Sequence, residues 1–349
     1  MSTGPSFLRA AVVALGVLAS GTASAEPVRG AGSTFAAPVI GKWSESYRNF
    51  RMDGGDYFSS DFTVDYEPVG SVAGMFRLAQ PEMDFAATDA PLSSAELRKR
   101  GLAQFPIVIG GIVPVINIPG VAQGQLKLTG AVLADIFLGK IKVWNDPAIK
   151  ALNERVDLPG TGIAIVYRTD GSGSTLNWTQ FLSAHSPEWK SAIGADTLVK
   201  WPVGSGEDGS SRLVRKLQDT PGAIGYVEYG QVVRASLKYA LIANREGAYV
   251  APATASFQAA ASRATWLASE DFSLSLIGAP GVDAWPVTIV TYGLMRENAI
   301  DAARQRNAFS FFEVALERSA ADATSLGYAP LPEKLVAEIK GYWTSRMRR

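Results

Sequence analysis

Apolar and polar positions along this chain alternate between two periods, and this alternation predicts an α/β protein. Phe62–Tyr66 alternates residue by residue, as a half-buried strand does. Val72, Met75, Phe76 and Ala79 then recur at helical spacing. Because strand-like and helical segments follow one another along the chain, we expect helices packed on a sheet.

The rest of the chain continues this pattern. Short β-branched or apolar runs predict further strands at Ile163–Tyr167, Ile224–Val227 and Val287–Tyr292. The longer apolar run Phe105–Ile118 contains Gly110-Gly111 and two prolines, which predicts a buried strand with a bend. Helices are predicted around Leu133, Ile136 and Phe137, at Ala302–Glu317 and at Glu333–Met347, and loops at Gly204–Gly206 and Gly278–Gly281.

Length and composition narrow the class of protein. A chain of 349 residues suits two domains, and 47% hydrophobic residues suffice for packed cores. Lys plus Arg balances Asp plus Glu at 33 each, which disfavours a nucleic-acid binder. The absence of cysteine excludes disulfides, thiol catalysis and cysteine-bound metals, and His185 is the single histidine. We therefore expect no metal and no cofactor.

Residues 1–25 have the pattern of a signal peptide. Arg9 precedes the apolar stretch Ala10–Leu18, and Ala23–Ala25 forms a small-residue cleavage site before Glu26. The apolar stretch is shorter than the roughly 20 residues needed to span a bilayer. We expect an exported mature protein, with an uncleaved anchor as the alternative.

Three segments share one design, in which glycine and hydroxyl residues lead into a helical pattern. They are Gly30–Phe35, Val69–Ser71 and Arg168–Thr175. The start of a helix presents unpaired N–H groups and partial positive charge, which attract anions. Three such starts meeting at one point would surround a tetrahedral oxyanion. Ordinary helix capping by Ser and Thr is the alternative for each segment.

Two charged residues sharpen this hypothesis. The planar guanidinium of Arg168 suits bidentate binding of phosphate oxygens, and Asp170 is placed to orient it; a surface ion pair is the alternative. Asp89 lies in the otherwise apolar and small segment Phe85–Leu92. An ionised carboxylate only accepts hydrogen bonds, so it suits phosphate, which keeps an O–H near neutral pH, and opposes sulfate, which has none. A turn or helix cap before Pro91 is the alternative for Asp89.

Taken together, these segments resemble the family of periplasmic phosphate-binding proteins of Pst-type phosphate ABC importers. The resemblance covers about Gly30 to Trp343. It is carried by GAGSTFAAPVIGKW, DFAATDAPLS, FPIVIGGIVPVINIPG, LGKIKVWNDPAI, RTDGSGST, TPGAIGYVEYG and AWPVT. The second loop departs from the family at Val72, and Ser174 stands where the family commonly has threonine.

The resemblance implies a type II periplasmic-binding-protein fold, α/β with two lobes, a hinge and an interlobe ligand cleft. Lobe 1 would comprise residues 26–109 plus 287–349, and lobe 2 residues 110–286. The phosphate contacts carry over onto Thr34, Phe35, Ser71, Asp89, Arg168, Ser172, Gly173 and Ser174, with Asp170 supporting Arg168.

The implied function is capture of inorganic phosphate by a periplasmic, monomeric, non-enzymatic receptor. It would deliver phosphate to membrane permease subunits of an ABC importer with a cytoplasmic ATPase. Two alternatives stay open. One is an exported phosphatase or other hydrolase using the same anion pocket, although His185 fits a helix end better than a catalytic base. The other is a receptor for another tetrahedral oxyanion.

Overall fold

The computed structural model describes residues 27–53 and 63–347. The predicted signal peptide and residues 54–60, part of a polar and aromatic segment to which we assign no role, lie outside the described residues. The strands are β1 (Val28–Gly32), β2 (Val64–Glu67), β3 (Phe85–Thr88), β4 (Leu102–Asn117), β5 (Lys127–Leu128), β6 (Ala164–Arg168), β7 (Ser205–Glu207), β8 (Ala223–Glu228), β9 (Leu241–Ala243), β10 (Tyr249–Val250) and β11 (Thr288–Arg296).

The helices lie between and around these strands. They are α1 (Ala37–Asp53), α2 (Ser71–Arg77), α3 (Ser94–Arg100), α4 (Gly130–Phe137), α5 (Pro147–Lys150), α6 (Gly173–His185), α7 (Pro187–Ala192), α8 (Ser210–Asp219), α9 (Tyr229–Arg234), α10 (Thr254–Ala261), α11 (Ala302–Arg318), α12 (Ala320–Ser325) and α13 (Glu333–Arg346), with a short 3₁₀ turn at Ala268–Glu270. None of the helices in the described ranges combines the length and the apolar character needed to cross a bilayer.

Eight strands form one mixed sheet in the order β2-β1-β3-β11-β4-β8-β6-β7, and β10-β9-β5 form a smaller sheet. The pairs within β2-β1-β3 and within β8-β6-β7 are parallel, whereas β11 and β4 run antiparallel to their neighbours. We call the half of the sheet with β1, β2, β3 and β11 lobe 1, and the half with β6, β7 and β8 lobe 2.

Strand β4 belongs to both lobes. Its residues Leu102–Gly111 pair with β11, and its residues Ile112–Asn117 pair with β8. The change of partner falls at the predicted Gly110-Gly111 bend. The chain passes between the lobes a second time at Trp285–Val287, beside Ile112 of β4. The indole Nε1 of Trp285 donates to the carbonyl of Ile112 at 2.9 Å, and the amide of Ile112 donates to the carbonyl of Val287 at 2.9 Å.

These two adjacent passages make the two-lobed α/β architecture that the resemblance implied. Each lobe packs a cluster of aromatic rings against its half of the sheet. The lobe 1 rings are Phe85, Phe105, Phe311, Phe312 and Trp343, and the lobe 2 rings are Phe137, Trp178, Trp201 and Tyr226. The exact limits of the lobes, at 109/110 and 286/287, stay a prediction.

The prediction of a loop at Gly204–Gly206 was wrong. Ser205–Glu207 forms β7, an edge strand whose backbone pairs with β6. Glycine and serine are poor strand formers, but tertiary pairing overrides that weak preference. Glycine is also required sterically at position 206 of this strand, because a Cβ there would lie 2.2 Å from Cγ2 of Thr169.

Candidate anion-binding site

The lobe 1 part of the site is built where β1 and β3 end. These strands are parallel, with Gly32 opposite Ala87, so the residues that follow them emerge at the same edge of the sheet. Ser33 follows β1 and Asp89 follows β3. The amide of Gly70 donates to the carbonyl of Gly32 at 2.9 Å, which brings the first residue of α2 to the same edge.

The carboxylate of Asp89 is the centre of this part. It is 3% exposed and accepts hydrogen bonds from Ser33 Oγ at 2.7 and 2.9 Å and from Thr291 Oγ1 at 2.6 Å, with Ser71 Oγ at 3.5 Å. Burial raises the pKa of Asp89 to about 6, against the lowering effect of the bonds from Thr291 and Ser33. The group is therefore mostly ionised at neutral pH and acts as a hydrogen-bond acceptor. It does not cap a helix, since α3 is capped by Ser93.

The lobe 2 part of the site is built around Arg168, the last residue of β6, which is 1% exposed. Its Nε donates to Oδ1 of Asp170 at 2.6 Å and its Nη2 donates to Oδ2, so the carboxylate holds one edge of the guanidinium. Burial acts to raise the pKa of Asp170, but the hydrogen bond and charge of Arg168 keep it below its ordinary value. Asp170 also accepts from the amide of Gly209 at 3.0 Å. Its carboxylate thus fixes the direction of the guanidinium.

The remaining nitrogen of the guanidinium points at hydroxyl groups from both lobes. Nη1 of Arg168 donates to Ser210 Oγ at 2.8 Å and to Thr34 Oγ1 at 3.3 Å. The two hydroxyls lie 3.0 Å apart. Thr34 belongs to lobe 1 and Arg168 to lobe 2, so the lobes are closed on each other at this point.

Gly173 shows how close the lobes come. A Cβ at this position would lie 2.6 Å from Cβ of Asp89 and 2.7 Å from Ser71 Oγ, distances at which other atoms would have to move. Nδ2 of Asn177 donates to the carbonyl of Asp89 at 2.8 Å and fixes the same contact. The first turn of α6 therefore rests directly on the lobe 1 residues, and the absence of a side chain at Gly173 permits it.

The predicted serines of the third segment have other partners. Ser172 caps α6, its Oγ accepting from the amide of Thr175 at 3.3 Å, so the capping alternative holds for its side chain. Ser174 Oγ donates to Oε1 of Glu228 at 2.9 Å. Helix α1 begins at Ala37, two residues after Phe35, whose ring is buried against Tyr328. Phe35 therefore has only its backbone to offer a ligand.

Four residues of this cluster were not among the individually predicted contacts: Ser33, Ser210, Glu228 and Thr291. Ser33 lies within the predicted segment Gly30–Phe35, and two of the others had a recognisable signal in the sequence. Ser210 follows Gly209 and opens a helix, as Ser71 follows Gly70, and Glu228 ends an otherwise apolar strand, as Asp89 follows one. Thr291 had no local signal, because it lies within a predicted buried strand.

Two clefts border the site. One of about 370 Å³ is lined by Thr34, Ser210 and Arg234 among others, and one of about 240 Å³ by Asp89, Asn177 and others. A cavity of about 860 Å³ lies elsewhere, lined by residues of α10, α11 and α13 with none of the predicted site residues. Volume alone does not mark the site here; the buried charges do.

The hydrolase alternative finds no support in this geometry. His185 ends α6, roughly 18 Å along the helix from Gly173 at 1.5 Å per residue. Its Nδ1 is 2.9 Å from the carbonyl of Phe181. A serine nucleophile needs a base within hydrogen-bond reach, and this imidazole does not reach Ser172 or Ser174.

The two-lobed architecture with a buried polar cluster between the lobes is that of a solute-binding protein, and a model of the PBP superfamily domain matches residues 18–303. A solved structure of a high-affinity periplasmic phosphate-binding protein bound with phosphate covers 90% of this chain and 93% of its own, with a TM-score of 0.69 at 20% identity.

Two relatives are closer in sequence. The phosphate-binding protein PstS of Xylella fastidiosa (strain 9a5c) is 40% identical over 321 residues, which cover 92% of this chain and 86% of that protein. The phosphate-binding protein PstS of Pasteurella multocida is 38% identical over 327 residues, covering 94% and 92% respectively. The chain therefore belongs to the PBP superfamily and, within it, to the family of these PstS proteins.

Proposed function

We propose that this protein is a receptor that captures inorganic phosphate between its two lobes outside the cytoplasm. The observation that carries the proposal is that the buried carboxylate of Asp89 lies near enough to the buried guanidinium of Arg168 for that charge to act to lower the pKa of Asp89. A guanidinium attracts an oxyanion, and a neighbouring carboxylate tolerates that oxyanion only if it brings a proton to share. Phosphate meets both conditions at neutral pH, and sulfate meets only the first.

The proposed contacts are those that the sequence indicated. Thr34 and Ser71 contribute hydroxyls, and Phe35 and Gly173 contribute backbone amides. Arg168 contributes the Nη1 end of its guanidinium, because Asp170 holds the Nε and Nη2 edge. Ser172 caps α6 and Ser174 lies in its first turn, and the amides and dipole of this 13-residue helix favour an anion. Asp89 accepts the ligand proton.

Binding and closure are coupled in this proposal. Thr34 and Arg168 lie in different lobes, so a ligand that binds both favours the closed state over an open one. The adjacent passages at Ile112 and at Trp285–Val287 form the hinge, which supports lobe limits at 109/110 and 286/287. Closure removes water and strengthens every charge interaction in the site.

The wider role rests on the family. The name of the PstS relatives and the periplasmic protein bound with phosphate support a periplasmic, non-enzymatic receptor. We propose that it acts as a monomer, exported by residues 1–25, and that it hands phosphate to the permease subunits of an ABC importer with a cytoplasmic ATPase.

Calorimetry of the mature protein with phosphate and sulfate tests the function. We expect one phosphate per chain and sulfate weaker by roughly 10⁴-fold, the discrimination that a dedicated hydrogen bond can give. Asp89→Asn should reduce the difference between phosphate and sulfate affinity. Asp157→Asn, which removes an exposed carboxylate of lobe 2, should leave that difference unchanged. Comparable affinity for both anions in the wild-type protein would refute the proposal. Turnover of phosphomonoesters would favour the hydrolase alternative.

A further inference from the structure

Glu228 is a second buried carboxylate beside the site, and the function proposed above gives it no role. It ends β8, is 2% exposed, and its Oε1 lies 3.6 Å from Nη1 of Arg168. The same oxygen accepts hydrogen bonds from Ser210 Oγ at 2.7 Å and from Ser174 Oγ at 2.9 Å. The other oxygen, Oε2, is buried and has no hydrogen-bond partner among the described residues.

These contacts fix the direction of two hydroxyl groups. A hydroxyl has one proton, and an ionised carboxylate can only accept, so Ser174 and Ser210 both donate to Glu228. Arg168 is a donor only, so Ser210 accepts from it at 2.8 Å. Thr34 must then be the donor in its 3.0 Å contact with Ser210. Ser210 then has both lone pairs occupied, by Arg168 and Thr34, whereas Ser174 has no proton left to donate and offers a ligand only its lone pairs.

The carboxylate cannot easily release these donors. With Oε2 already unpaired, turning either serine proton toward a ligand would leave a buried charge with fewer partners, and such losses are costly. A ligand oxygen that reaches Ser174 consequently forms a good hydrogen bond only if it carries a proton.

We propose that Glu228 is a positioning residue for ligand specificity, because it takes the proton of Ser174. Through Ser174, Glu228 makes the lobe 2 side of the site a second acceptor of ligand protons, opposite Asp89. This inference rests on the proposed phosphate function and deepens it: the site selects protonated oxyanions from two sides and rejects unprotonated ones such as sulfate.

The test compares Glu228→Gln with the wild-type protein in calorimetric titrations with phosphate and with sulfate. The amide of glutamine donates as well as accepts, so it frees a serine proton for an unprotonated ligand oxygen. We expect the ratio of phosphate to sulfate affinity to fall about tenfold, equivalent to about 1.4 kcal/mol. The control is Glu207→Gln, which removes a carboxylate from β7, at the position paired with Arg168 of β6, and should leave the ratio unchanged.

The same substitution in a second protein background distinguishes the effect of hydroxyl orientation from the effect of losing the Glu228 charge. In the Ser174→Ala/Ser210→Ala protein, adding Glu228→Gln should change the ratio by less than twofold, because no hydroxyl remains to be oriented. The double alanine variant by itself should also have a reduced ratio, which keeps the test available if Glu228→Gln fails to fold. An equal loss of both affinities, an unchanged ratio, or the same drop in both backgrounds would overturn the inference. Failure of the wild-type protein to bind phosphate would instead refute the proposed function.

Discussion

Asp89→Asn should change how the stability of the ligand-free protein depends on pH. The substitution keeps the size of the side chain but removes its titration. In the wild-type protein, burial raises the pKa of Asp89 from 3.8 to about 6. At 1.36 kcal/mol per pKa unit, this difference corresponds to about 3 kcal/mol between the two protonation states.

The sign follows from which state binds the proton more tightly. Between pH 3.8 and about 6 the folded protein holds the Asp89 proton while the unfolded chain has released it. The contribution of Asp89 to stability is therefore greatest below pH 3.8, falls as the pH rises through this window, and is constant above it. The free energy of unfolding of the wild-type protein, minus that of the Asn variant, should fall by about 2 kcal/mol from pH 4 to pH 7, because part of the full difference lies below pH 4.

Urea unfolding followed by tryptophan fluorescence at half-unit pH steps would measure this difference, and subtraction of the variant cancels the other carboxylates. A flat difference across the window would refute the claim that Asp89 is a desolvated acceptor. The same protonation should affect ligands. Below pH 6 a protonated Asp89 can donate, so sulfate affinity should rise in the wild-type protein and stay level in the variant.

Three further predictions concern single positions. Arg168→Lys should weaken phosphate binding roughly 100-fold in calorimetry, because an ammonium cannot pair with both Asp170 oxygens and still reach the ligand; a change under threefold would contradict this role. Gly173→Ala should lower phosphate affinity at least tenfold, because the added Cβ would obstruct closure of the lobes. The control Gly41→Ala has open space around it and should not change the affinity, so equal effects of the two substitutions would refute the steric argument. Ser172→Ala should lower the free energy of unfolding by about 1 kcal/mol, since it removes the cap of α6; an unchanged urea midpoint would argue against the cap.

The sequence predicted most of the fold because its signals were local and strongly periodic. The long apolar run around Gly110-Gly111 lies in β4, and the run Val287–Tyr292 covers the first five residues of β11. The strand β7 was missed because its polar and glycine residues form a strand only against β6. Pairing of that kind depends on residues distant along the chain, which a local pattern does not contain.

The site was predictable to the extent that its chemistry was unusual for its surroundings. A carboxylate after a small apolar segment pointed to Asp89, and a spacing of two pointed to the Arg168–Asp170 pair. Thr291 was not predictable, because its 2.6 Å bond to Asp89 joins residues 202 positions apart. Nor could the sequence reveal that the proton of Ser174 is directed to Glu228 and not toward the interior of the cleft.

The continuity of β4 through both lobes has a mechanical consequence. One uninterrupted backbone carries the hydrogen-bond ladders of both half-sheets, so the lobes cannot slide apart without breaking a ladder. In the opening and closing proposed above, relative motion would be confined to torsion of the few peptide units around Ile112 and of the neighbouring units from Trp285 to Val287. The two lobes would then rotate as stiff bodies about one narrow axis, and a small change of backbone angle there would become a wide displacement at the mouth of the cleft.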